Sequence, residues 1–149
     1  DSYHDFAIAI SPEMVEGLTI GYGAGEVPVA GNDISKDNST AYVKYAIGGF
    51  TVGYQVSESD HDTTSSSLDS TAYGITYAVN DDFSVGYSYH ETEFDSGATN
   101  NTDQESSGIS ASYTMGGMTL AGAMNEVDSM DGVATGDYEG YEFNLKFAF

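Results

Sequence analysis

Tyr42, Lys44, Gln55, His90, Asn125, Glu142, Asn144 and Lys146 stand at the polar positions of segments whose alternate residues are bulky and apolar. A phenol, an imidazole, three amides and single charges of either sign, spread this thinly, suit hydrogen bonding to water and to passing solutes. They do not suit bond breaking. A nucleophile, base and orienting acid are recognised by their geometry, and no Ser, His and acid spacing singles out His4, His61 or His90. The chain has no Cys, which removes thiol catalysis, disulfides and zinc thiolate centres together. The expectation is a protein that is not an enzyme and needs no cofactor. Asp, Asn and Gly clusters at 31–38 and 96–105 offer oxygen ligands and could hold Ca²⁺, although neither has ordered EF-hand spacing.

Composition narrows the partners. Asp and Glu number 24 against 3 Lys plus Arg, a formal charge of -21 over 149 residues. A chain this negative repels phosphates instead of releasing their counterions, which excludes nucleic acid. No apolar run approaches the roughly 20 residues of a membrane helix. Twelve Tyr and seven Phe argue for a folded chain despite the charge. The length predicts one domain. The first residues carry no signal-peptide pattern, so a leader has been removed or the chain begins within something longer.

The elements that must position the polar residues show a period of two. Phe50, Val52, Tyr54 and Val56 alternate with Thr51, Gly53 and Gln55. The pattern returns around Tyr73, Ile75 and Tyr77, around Phe83, Val85, Tyr87 and Tyr89, and around Ile109, Tyr113 and Met115. It recurs at Met118, Leu120 and Met124, and in the closing run from Tyr141 through Phe143, Leu145 and Phe147 to Phe149. Weaker copies surround Phe6 and Ile8, Leu18 and Ile20, and Val43 and Tyr45. This predicts about nine strands of about 8 to 11 residues, the length of a tilted membrane-spanning β-strand. No segment reads as a helix. Short links at 11–17, 48–49, 80–82 and 116–117 alternate with long polar ones near 25–39, 57–70, 95–107 and 128–136, which also hold much of the acid. Short turns on one side and long loops on the other are the habit of outer-membrane barrels.

The two faces of these strands decide between a soluble and a membrane barrel. The face between the bulky residues is mostly Gly, Ala, Ser and Thr, too weakly polar for the outside of a soluble protein. Small polar residues inside and large apolar ones outside, with aromatics near the strand ends, describe a wet lumen set in lipid. The fold expected is an all-β, antiparallel transmembrane β-barrel.

The ending GYEFNLKFAF resembles the C-terminal signature by which outer-membrane barrels are recognised for insertion, carried here by Tyr141, Phe143, Leu145, Phe147 and Phe149. With its acidic loops and GG or ND turns, the chain is similar to the C-terminal half of a general Gram-negative porin of the trimeric, roughly 16-stranded type. The resemblance implies residence in the bacterial outer membrane, a homotrimer among lipid and lipopolysaccharide, and passive passage of small hydrophilic solutes. The family's inward constriction loop lies in the N-terminal half and has no counterpart here. Parity agrees with a missing half: with the last strand ending at the periplasm, nine strands would leave the start outside, whereas bacterial barrels usually have even strand numbers. Residues 1–149 are therefore expected to be one domain, part of a longer barrel. If the first segment were not a strand, eight strands could close alone around a filled interior.

Two readings of the charge stay open. Acidic rings favour cations, so a charge of -21 points to a cation-preferring pore. Alternatively, loop carboxylates form a solvated surface bridged to lipopolysaccharide by divalent cations. Lys44 and Lys146 either line the pore or pair with Glu142 or neighbouring acids. Beside the porin stand a small structural or adhesive barrel and the translocator domain of a secreted adhesin, neither passing solutes.

Overall fold

Each period-two segment forms a strand, and every strand pairs with the next in sequence. The computed structural model describes residues 4–29, 34–61, 66–95 and 102–148. Nine strands make one antiparallel sheet in the order of the chain: β1 (His4–Ile10), β2 (Leu18–Val29), β3 (Ile34–Ile47), β4 (Phe50–His61), β5 (Ser67–Ala78), β6 (Phe83–Asp95), β7 (Gln104–Met115), β8 (Met118–Asp128) and β9 (Tyr138–Phe147). Among the described residues the only helical turn is a 3₁₀ turn at Met130–Gly132.

Short turns fix the register at one rim. Gly48 and Gly116 take positive φ, 55° and 59°, at the first position of two-residue turns, the place where type II′ hairpins require glycine. The Asn80 Oδ1 instead accepts the backbone N–H groups of Asp82 and Phe83, both at 2.9 Å, closing an Asx turn. The same rim is laced to the following strand: Ala46 N–H donates to Gly17 O, Ala78 to Gly49 O, Thr114 to Asp82 O and Ala148 to Gly117 O.

At the other rim the strands run further than the apolar pattern does. The link expected near 128–136 is one, between β8 and β9, but those near 25–39 and 57–70, and 104–107 of the one near 95–107, are largely strand, because the strands continue past the last apolar residue with their pairing intact. There the alternation persists, but its outer positions turn acidic. Hydrophobic period therefore could not reveal it. The segment His4–Ile10 is also a full strand, paired with β2 from His4 opposite Glu26 to Ile10 opposite Ile20, so the premise of an eight-stranded closure fails.

No apolar side chain is buried among the described residues. A single-layer sheet has no second layer to form a core, so its apolar face must find its partner outside the chain. Phe143 remains 82% exposed and Ile8 60%. A soluble domain would have to cover such a face; lipid covers it without help.

Candidate functional site

Register sorts the side chains. Tyr42 stands opposite Gln55, Gln55 opposite Ala72, and Ala72 opposite His90, so three of the polar residues share one cross-strand row. Lys44 begins a second row through Gly53, Gly74, Ser88 and Gly108 to Asn125. Glu142 ends a third through Ala123 and Ser110, while Asn144 faces Ala121 and Lys146 faces Thr119. All eight expected residues thus lie on one face. Tyr141, Phe143, Leu145 and Phe147 lie on the other; Phe149 is outside the described residues.

The structure does not bring Lys44 or Lys146 to Glu142. Glu142 and Lys146 are four residues apart on one strand, about 13 Å at the rise of a β-strand. Lys44 is on β3, with five strands between it and β9.

The Ser and Thr expected on the polar face pair with one another across the strands, a pairing that the sequence alone does not reveal. Thr40 and Ser57 share a hydrogen bond at 2.9 Å, Ser84 and Ser112 at 2.9 Å, Ser70 and Thr92 at 3.2 Å, and Thr114 and Thr119 at 3.1 Å. Ser59 Oγ donates to Asn38 Oδ1 at 2.7 Å. Each of these is a directly opposed cross-strand pair, the unit that stabilises a sheet face. Glycines leave this wall low, and Gly21 lies beneath the ring of Tyr42, where a methyl group would overlap it. Near the short turns, Ser112, Ala121, Glu142, Asn144 and Lys146 border a depression of about 460 Å³.

On the apolar face aromatic pairs mark both rims of the band. Phe50 stacks on Tyr77 with ring centres 4.3 Å apart, near the short turns. Tyr73 stacks on Tyr89 at 5.0 Å, and Phe6 meets Tyr22 at 5.8 Å, toward the long loops. Between them stand Val52 and Ile75. Such pairs of girdles flank the lipid-facing band of outer-membrane barrels.

Above that band, on the same face, carboxylates oppose one another. Glu26 faces Asp37 and Asp37 faces Asp60; Glu58 faces Asp69 and Asp69 faces Glu93. Glu91 faces Glu105, Glu105 faces Asp128, and Glu126 faces Glu139. Glu58, above the apolar band, has its carboxyl raised above the ordinary range by a hydrogen bond with Asp60 and by the negative charges of Asp60 and Asp69. The three lysines of the chain, Lys36, Lys44 and Lys146, all stand on the opposite face, where the strand carboxylates are Asp5 and Glu142. Much of the acid expected in loops is therefore carried on strands, pointing away from the polar face.

Among the described residues no three His, Asp or Glu side chains converge as metal ligands. Of the two expected Ca²⁺ clusters, 31–33 and 96–101 are outside the described residues, and what remains of each belongs mainly to β3 or β7.

A family model described as Gram-negative porin matches residues 4–149. The chain belongs to the Gram-negative porin family. Its fold is similar to that of a solved structure, the in-vitro-folded OmpT, an outer membrane protein of Vibrio cholerae, with a TM-score of 0.66 at 14% identity. The likeness covers 97% of this chain and 55% of that one, so this porin chain spans about half the length of the structure it matches. No curated protein matches it. Family and fold together place it in the bacterial outer membrane, as an all-β protein of outer-membrane barrel fold.

Proposed function

We propose that this chain supplies part of the wall of a water-filled, non-enzymatic channel through which small hydrophilic solutes and ions diffuse. The observation that carries the reading is the sorting of the sheet into one aromatic, aliphatic face and one face of Gly, Ala, Ser and Thr, with no buried apolar side chain among the described residues. The first face suits lipid and the second suits water. Tyr42, Lys44, Gln55, His90, Asn125, Glu142, Asn144 and Lys146 are the residues proposed to meet passing solutes.

In lipid an unpaired strand edge costs several kcal/mol per group. Among the described residues β1 pairs only with β2, and β9 only with β8. Nine alternating strands leave β1 and β9 running the same way, so an all-antiparallel closure needs an odd number of further strands between them. A second copy joined edge to edge would leave parallel seams. This favours residues 1–149 as one part of a longer single-chain barrel. A homotrimer of such barrels, in contact with lipopolysaccharide through divalent cations at the level of the acidic belt, completes the proposal.

The charge that motivated a cation preference stands largely on the face away from the proposed lumen. Along the strands the lumen side holds Lys36, Lys44 and Lys146 against Asp5 and Glu142, which supports weak selectivity tuned by these few groups. Conductance of the full-length protein in planar bilayers tests the channel. Uniform open steps are expected. Stable insertion without steps would overturn it and favour the structural barrel.

A further inference from the structure

The link between β8 and β9 is built as a rigid object. Within residues 129–137, Gly132 N–H donates to Ser129 O, Val133 to Met130 O, Met130 to Gly136 O and Gly136 to Val133 O, at 2.8 to 3.2 Å. Ser129 N–H donates to the Asp137 carboxylate at 3.2 Å. Ser129, Asp131 and Gly132 all take positive φ, a winding that costs energy at the two non-glycine positions and is closed by this set of bonds.

Two contacts fix where the loop leans. Asp131 N–H donates to Gln104 Oε1 at 2.9 Å, and Gly132 lies against the ring of Phe94, where an added methyl would sit 3.4 Å from Cδ2. Gln104 and Phe94 stand on the polar face, since Gln104 is opposite Thr92 and Phe94 opposite Leu68, in step with His90 opposite Ala72. Thr92 beside them is only 8% exposed, the one buried polar residue among those described. The loop therefore leans toward the polar face, away from the acidic belt. Here that face also changes character: Leu68 and Phe94 oppose each other across β5 and β6, as do Val127 and Tyr138 across β8 and β9. Met130 and Val133 remain exposed on the loop itself.

We infer that this loop is a fixed inward shelf at the long-loop mouth, pinned by Gln104 and Phe94, and that it discriminates among neutral hydrophilic solutes by size. The inference rests on the channel reading above. Below the shelf the wall is glycine and hydroxyl, low in relief and tolerant of size; the shelf sets apolar bulk and rigid backbone in the path of larger molecules.

The test uses the full-length protein in liposomes, with swelling rates measured for a monosaccharide and a trisaccharide. Two variants release the shelf: Gln104→Ala with Phe94→Ala, and a short Gly-Ser link in place of 130–136. A severalfold rise in the trisaccharide rate relative to the monosaccharide, in both variants, is the expected result. An unchanged ratio in both, while the wild type conducts and both variants assemble, overturns the shelf and leaves the channel standing. A wild type that admits neither sugar overturns the channel reading, and the shelf with it.

Discussion

The two faces of the sheet share one backbone and one alternation, yet they change along the strands in opposite ways. The apolar face begins at the short turns with Phe50, Tyr77 and Phe147, runs through Val52 and Ile75, and ends abruptly in paired carboxylates such as Glu58 and Asp69. The polar face keeps its hydroxyl and glycine character over the same height and turns apolar only at the loop end, at Leu68, Phe94 and Val127. Each face thus reports its surroundings. On the channel reading, one crosses from oil to an ionic interface, and the other stays wet until the mouth.

The sharpest way to break that comparison is to put one charge on neighbouring residues of β5. Ile75 lies mid-band between Val52 and Tyr87, so Ile75→Lys should cost about 2–4 kcal/mol, the range for a lysine at the middle of a lipid-facing barrel wall. Thr76→Lys, one residue on and facing the other way, should stay within about 0.5 kcal/mol. Urea midpoints for folding into bilayers would measure both. Equal losses would mean that the faces are not lipid and water.

Gly21→Ala probes the wet face by volume. Its methyl would overlap the Tyr42 ring, and overpacking of this kind costs about 1–3 kcal/mol. Tyr42→Ala in the same chain should recover most of the loss, because the atoms nearest the added methyl all belong to the Tyr42 side chain. If the double variant is no better than Gly21→Ala, the ring is not where the glycine meets its limit.

What was legible beforehand follows the same division. The nine strands, and the shared face of the eight polar residues, could be read because a period of two in Phe, Tyr, Val and Ile is visible only where the apolar band runs. The upper strand ends were hidden: Ser57 to Asp60 alternates as strictly as Thr51 to Tyr54, but in Ser and acid, which composition alone assigns to a loop. The sorting of charge was hidden too, since parity cannot be carried into a segment not recognised as strand. Contacts between loop and strand such as Asp131 with Gln104 join residues 27 apart, and no local pattern announces them.

Charge on the two faces should act differently on permeating ions. Lys44→Gln with Lys146→Gln removes two of the three positive groups on the wet face and should move the reversal potential in a KCl gradient toward cations. Neutralising Glu58, Asp60 and Asp69 on the other face should move it less, because the screening length is about 10 Å at 0.1 M salt. A larger shift from the acidic set would restore the net charge of the chain as the source of selectivity.

The smallest effect lies within the belt itself. Glu58 has its carboxyl raised first by the hydrogen bond with Asp60, then by the charges of Asp60 and Asp69; Asp37 and Glu93 face those neighbours in turn. A raised carboxyl stabilises the fold when protonated, so its contribution is present below the ordinary carboxylate range and lost as pH rises through the raised value. Acidifying from neutral toward that range should therefore strengthen this end of β4 and β5, by little, since the group is exposed to solvent and salt. Glu58→Gln keeps a hydrogen-bonding partner for Asp60 but removes the titration, and should flatten that part of the profile. Urea midpoints taken across the pH range would show it, and an unchanged slope in the variant would place the pH dependence elsewhere in the belt.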